Sequence, residues 1–158
     1  LRHTALLLQP LCGKMLIGSS DNAHELPFAL RVPDEWEFAG PLSAWISCLR
    51  RTETEYAIIL SVDMPLITLG ALKSLIESGP NSAWRISDKH FPMPAFVSKN
   101  ILNTLLMQFE TGERRLQSAL KNAEMKYWDA PLHIIPLLNN CNTPQDLKSA
   151  QEFANKGV

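Results

Sequence analysis

Glycine is sparse and nowhere concentrated: seven glycines are scattered through 158 residues, and no Gly-rich segment is present. Cysteine is scarcer. Cys12, Cys48 and Cys141 are odd in number and far apart, which excludes a disulfide framework and points to a reducing, cytoplasmic setting. No cysteine pair has metal-ligand spacing, and His3, His24, His90 and His133 are equally dispersed, so nothing suggests a zinc site. The net charge is −1, which removes the global basic field expected of a nucleic-acid or anionic-membrane binder. No apolar run approaches the roughly twenty residues of a membrane span. The opening "LRHTALLLQPLC" has a leucine run, but it is short, contains a proline and lacks a small-residue cleavage site, so it does not read as a signal peptide.

What remains is ordinary globular material, 46% hydrophobic and 20% charged, long enough for one domain with a substantial core. The chain opens inside a helical pattern, residues 1–11. "KMLIGS" (14–19) and "FALRV" (28–32) read as strands, followed by a loop with Asp34, Glu35 and Glu37. Pro41 suits the first position of a helix carrying Leu42, Trp45, Ile46 and Leu49 at helical spacing. "YAIILSV" (56–62) is the most apolar strand and reads as buried on both faces. Thr68 can cap the next helix. "AWRISD" and "PAFVS" form a hairpin-like pair separated by "KHFPM", two helices meet at Thr111–Gly112, and "MKYWD" and "HIIPLL" look like strands. Thr143, Pro144 and Asp146 form the start of a final helix, with Gly157 as its stop. This alternation predicts an α/β fold with a mostly parallel sheet flanked by helices.

In an open parallel sheet, ligands bind beyond the carboxyl ends of the strands. Asp63 lies there, in "SVDMP", with Pro65 and the extended bias of Met64 aiming it. One aimed carboxylate suits Mg²⁺, which takes one or two carboxylates together with water and substrate phosphates. The alternative is that Asp63 caps the following helix or holds a turn. Gly40-Pro41-Leu42 can turn helix N-terminal N–H groups towards a ligand, and Asp34 can accept from a nucleobase edge; a solvated Gly-Pro turn is the alternative. Arg114 and Arg115 near a helix start oppose its dipole unless an anion, or Glu110 or Glu113, pairs with them. Asn139, Asn140 and Asn142 offer amides to a ligand or complete turn hydrogen bonds.

"GPLSAWISCL", "IILSVDMPLIT", "TGERRL" and "NNCNTPQDL" follow one another in the order and approximate spacing of the MobA family, and the chain resembles it along nearly its whole length. The resemblance implies a Rossmann-like nucleotidyltransferase fold. It implies transfer of GMP from GTP to molybdopterin carrying molybdenum, with Mg²⁺ and release of pyrophosphate, and delivery to molybdoenzymes or their chaperones. By position, Asp63 resembles the family's metal-binding aspartate and Asp34 the acid before the Gly40-Pro41-Leu42 turn near the nucleotide. Arg114, Arg115, Asn140 and Asn142 match the pterin side. The family's loop of the form Leu-Ala-Gly-Gly-x-Ser-x-Arg-Met-Gly, expected ahead of Leu1 with the first strand, is not in this sequence. Residues 1–158 are therefore expected to be one such domain without that strand and loop. Phe91 precedes Pro92 where relatives would carry histidine, and Ala44 replaces a second glycine. A cytidylyl- or sugar-nucleotide transferase, or a non-catalytic binding module, would share much of this pattern.

Overall fold

The computed structural model describes residues 1–18, 26–36 and 40–155. Ser19, Glu37 and the helix stop expected at Gly157 lie outside them. The elements run α1 (Arg2–Leu8), β1 (Leu16–Gly18), β2 (Leu30–Val32), α2 (Pro41–Arg51), β3 (Tyr56–Ile59), α3 (Leu69–Glu77), β4 (Ser82–Ile86), β5 (Lys89–Ser98), α4 (Ile101–Glu110), α5 (Leu116–Asn122), β6 (Lys126–Asp129) and α6 (Pro144–Asn155). Short 3₁₀ turns follow α1 at Gln9–Leu11 and precede α6 at Ile135–Leu138.

β1 and β2 pair in parallel, while the larger sheet has the order β3-β5-β4-β6. Its β3–β5 and β5–β4 pairings are antiparallel and β4–β6 is parallel. The α/β expectation holds, with strand directions mixed, because the β4–β5 hairpin enters the middle of the sheet.

Helices cover both faces of that sheet. On one side α2, α4 and α5 bury Leu42, Ile46, Leu105 and Leu120 against Ala83, Ala95 and Val97. On the other, α3 and the 3₁₀ turn at 135–138 bury Leu72, Leu75, Ile134 and Leu138 against Trp84 and Phe96. Period-two alternation does the sorting: Ala57, Ala83 and Ala95 face the three-helix side, and their neighbours Ile58, Trp84 and Phe96 face the other. Small side chains on the crowded face make room for three helices. β1 lies against α2, where a Cβ on Gly18 would stand 3.1 Å from Cys48 Sγ and 3.6 Å from Ala44 Cβ. Gly18 thus permits that approach.

Three expectations change. Among the described residues β3 lies at a sheet edge, and Ala57, Ile58 and Ile59 are half-buried rather than enclosed on both faces. "KHFPM" is strand, not connection: β5 spans it, and the hairpin turn lies at Ser87–Asp88. The register passes from Ala83↔Ala95 to Trp84↔Phe91, so Pro92, Met93 and Pro94 bulge out of the ladder, where no ladder N–H is required. "HIIPLL" is a 3₁₀ turn rather than a strand. Pro136 lies in its first turn, and Ile134 and Leu137, three residues apart, both face the core.

Candidate functional site

Asp63 stands past the end of β3, in the turn leading to α3. Two contacts fix that turn. Met64 is 1% exposed and anchors it in the core. The Cys141 N–H donates to the Asp63 backbone carbonyl at 2.7 Å, tying the turn to the segment ahead of α6. The capping alternative for Asp63 fails, because Thr68 does that work: its Oγ1 accepts the Ala71 N–H at 3.2 Å. Asp63 Oδ1 is buried and has no hydrogen-bond partner. A buried acceptor left unpaired costs about 1–3 kcal/mol. This corner therefore holds an unspent carboxylate oxygen aimed inward.

A cavity of about 380 Å³ opens beside it, lined by Val62, Asp63, Pro65, Asn142, Thr143 and Leu147 among others. A second cavity, of about 370 Å³, is lined by Asn139, Asn140, Asp146 and Ser149 among others. Cys141 lines both and so forms the wall between them. Burial, with the carboxylates of Asp146 and Asp63 nearby, raises the Cys141 thiol pKa, so this sulfur is held as a neutral thiol. Of the residues singled out in the sequence, Asp63 and Asn142 share one cavity and Asn140 lines the next. Asn139 partly serves the turn, donating from Nδ2 to the Pro136 carbonyl at 3.3 Å.

Asp34 belongs to a second corner. Its loop is docked on α2: the Glu35 N–H donates to Ser47 Oγ at 3.1 Å, Ser43 Oγ donates to the Trp36 carbonyl at 3.3 Å, and Arg50 pairs with Glu35. Asp34 Oδ1 is buried without a hydrogen-bond partner, and burial raises its carboxyl pKa. Burial and the neighbouring Asp34 charge push the Cys48 thiol up to about 11. Gly40 caps the start of α2 at φ 77°, a left-handed value that favours glycine, and Pro41 takes the first helical position. The Leu42 side chain is fully buried in the core, so this residue has only its backbone to offer a ligand. Among the described residues no hydrogen bond or ion pair joins Asp34 to Asp63.

The arginines are engaged elsewhere. Arg114 lies over the Phe109 ring at 3.9 Å and donates to the Phe109 and Glu113 carbonyls, closing the end of α4. Arg115 Nε stands 3.7 Å from Glu113 Oε1, its side chain 86% exposed. Glu113 in turn accepts the N–H groups of Arg114 and Arg115 at the start of α5. Neither arginine lines the two cavities beside Asp63.

Sequence reasoning missed the Cys141–Asp63 bond, which joins backbones far apart in the chain and leaves no pattern. The capping residue Asp146 was visible, but its place beside the cavities was not. Among the described residues no three His, Cys, Asp or Glu are grouped to hold a metal, and no helix is long and apolar enough to cross a membrane.

A carboxylate with an unpartnered oxygen stands past a strand end, where α/β proteins bind ligands, on a mixed sheet between helices. Comparison narrows this. Residues 1–127 match the model of the MobA-like NTP transferase domain, and the chain belongs to that family. It is 32% identical over 168 residues to "Probable molybdenum cofactor guanylyltransferase" of Chloroflexus aggregans, covering 97% of this chain and 79% of that protein. It is 30% identical over 125 residues to "Molybdenum cofactor guanylyltransferase" of Pseudomonas putida, covering 75% of this chain and 65% of that one. Two solved structures share the fold. A protein of Aquifex aeolicus matches with a TM-score of 0.77 at 21% identity, over 89% of this chain and 77% of its own. Molybdopterin-guanine dinucleotide biosynthesis protein A of Archaeoglobus fulgidus matches with 0.62 at 21% identity, over 81% and 69%. Nucleotidyltransferases of this family generally use a divalent metal ion.

Proposed function

We propose that this chain, read as one nucleotidyltransferase domain, serves transfer of GMP from GTP to molybdopterin carrying molybdenum, with release of pyrophosphate. The observation that carries the reading is the buried, unpartnered Oδ1 of Asp63 beside a cavity, in a chain so similar to guanylyltransferases over most of its length. The donor set fits Mg²⁺: one free carboxylate oxygen, with room for the water and phosphate oxygens that this ion prefers. When bound, the ion would neutralise charge on the phosphates and on the departing pyrophosphate.

The chain's own residues do the rest. The Met64 anchor and the Cys141 N–H fix the Asp63 backbone, so a cation would meet this carboxylate on a turn already held in place. In this reading Asp34, which has an unpaired oxygen of its own, accepts from the N1–H and N2–H₂ edge of guanine. Gly40, Pro41 and Leu42 contribute backbone at the α2 N-terminus. The amides of Asn140 and Asn142 hold the second substrate on either side of the Cys141 wall. Arg114 is spent on carbonyls, so any anion contact at that turn falls to the exposed Arg115.

The test is base preference followed by turnover. The protein's melting temperature in Mg²⁺ is measured with GTP, CTP and UTP, and pyrophosphate release is then followed with molybdenum-loaded molybdopterin. A larger stabilisation by GTP and release from GTP alone are expected. A preference for CTP removes the guanylyl assignment, and the lack of pyrophosphate release removes the transferase reading. The Asp34→Ala variant is expected to lose the preference for GTP over CTP.

A further inference from the structure

The final helix begins with more restraint than a helix start needs. In a capping box the side chain three residues on accepts the N–H of the cap residue. Asp146 does so, with Oδ2 accepting the Thr143 N–H at 2.9 Å, and Thr143 Oγ1 accepts the Asp146 N–H at 3.2 Å in return. But the same Oδ2 also accepts the Asn142 N–H at 3.1 Å, one residue ahead of the cap. The next N–H outward, that of Cys141, donates to the Asp63 carbonyl at 2.7 Å. Three successive N–H groups are thus committed in a row, two to Asp146 and one to Asp63. Asp146 itself is half-buried and lines the cavity on the far side of Cys141. The helix it starts buries little: Ala150 is its one fully buried residue among those described. Core packing of α6 therefore does not duplicate the restraint.

We propose that Asp146 is a positioning residue for Asp63, acting through the 141–143 turn. It holds Asn142 and Thr143 so that the Cys141 N–H stays on the Asp63 carbonyl, and this fixes where the free Asp63 oxygen points. The inference rests on the reading of Asp63 as a metal ligand. Because both bonds end on one oxygen, an amide oxygen can replace it. The geometry assigns the role to a hydrogen-bond acceptor, not to the negative charge.

The experiment measures Mn²⁺ bound in the presence of GTP, by electron paramagnetic resonance, for the full protein and its variants. Asp63→Ala should abolish the tight Mn²⁺ signal. Asp146→Ala should weaken Mn²⁺ about tenfold, as loss of a residue supporting a metal ligand does, while GTP affinity in EDTA stays unchanged. Asp146→Asn should restore affinity to within about threefold of the parent, on the same scale. Amide exchange at Cys141 should accelerate in Asp146→Ala and not in Asp146→Asn. Where Asp146→Ala fails to fold, Asp146→Ser, too short to reach Asn142, carries the same expectation. Unchanged Mn²⁺ affinity in Asp146→Ala, with Asp63→Ala inactive in binding, overturns the positioning role alone. Equal losses in Asp146→Asn and Asp146→Ala overturn it too, since charge would then be what matters. Unchanged binding in Asp63→Ala overturns the metal reading itself.

Discussion

Two turns carry the most conspicuous charged residues of this chain, and they treat those charges in opposite ways. At the turn after β3, Asp63 keeps a buried oxygen free while its backbone is tied down by Cys141 and Met64. At the turn between α4 and α5, Arg114, Arg115 and Glu113 satisfy one another and the helix ends around them. The first turn is tied in its backbone and unspent in its chemistry; the second spends Arg114 and Glu113 on its own structure and leaves Arg115 exposed. A charged side chain near a strand or helix end is thus a site candidate only after its local hydrogen bonds have been subtracted.

Substitutions can break or sharpen this contrast. The largest effect is expected from Arg114→Ala on stability, about 1–3 kcal/mol from the lost ring contact and carbonyl bonds, with nucleotide binding intact. Asp63→Ala should behave in reverse, leaving stability unchanged or raising it by up to about 1–3 kcal/mol, because no hydrogen bond of Oδ1 is lost and an unpaired buried acceptor is removed. Chemical denaturation of both variants checks the pair; a costly Asp63→Ala would mean that its carboxylate is structural after all. Thr68→Ala should cost about 1 kcal/mol, the usual worth of a helix cap, read as a lower denaturation midpoint. If it cost nothing, Asp63 would be free to take over the capping role.

The smallest effect is expected from acid. Hydrogen bonds from Ser118 and from the Arg115 and Arg114 N–H groups, with the Arg115 charge, lower the Glu113 pKa from 4.5 to about 2. A depressed carboxylate stabilises the folded chain above its unfolded pKa, and that contribution is lost as pH falls from about 4.5 towards about 2. Glu113→Gln should therefore flatten the decline in denaturation midpoint across that window. An unaltered slope would show that the Glu113 contacts are not formed in solution.

Much of this was legible in the sequence where a local signal sets a boundary. Pro41, Thr68 and the Thr143–Pro144 pair mark helix starts that the structure places where the residues say. Asp63 was legible as a site candidate because a strand end followed by proline is a positional signal. The failures lie where distant packing decides. "KHFPM", with Pro92, reads as a connection between strands, yet a bulge removes the need for ladder bonds at Pro92 and Pro94. The apolar run at 133–138 could not tell a strand from a 3₁₀ turn, because periodicity in so short a run is ambiguous. The apolar β3 suggests burial on both faces, but pairing decides burial, and β3 is paired on one side among the described residues. The engagement of Arg114 with Phe109, and the Cys141 bond that steadies Asp63, depend on which turns the fold brings together.

The measurement that bears most directly on the central claim is calorimetric titration of GTP into the protein and into Asp63→Ala, each with Mg²⁺ and with EDTA. Parent affinity should rise markedly with Mg²⁺, and Asp63→Ala should bind GTP equally weakly with or without the ion. An Asp63→Ala variant that keeps the full Mg²⁺-dependent gain would contradict the assignment of Asp63 as the metal ligand.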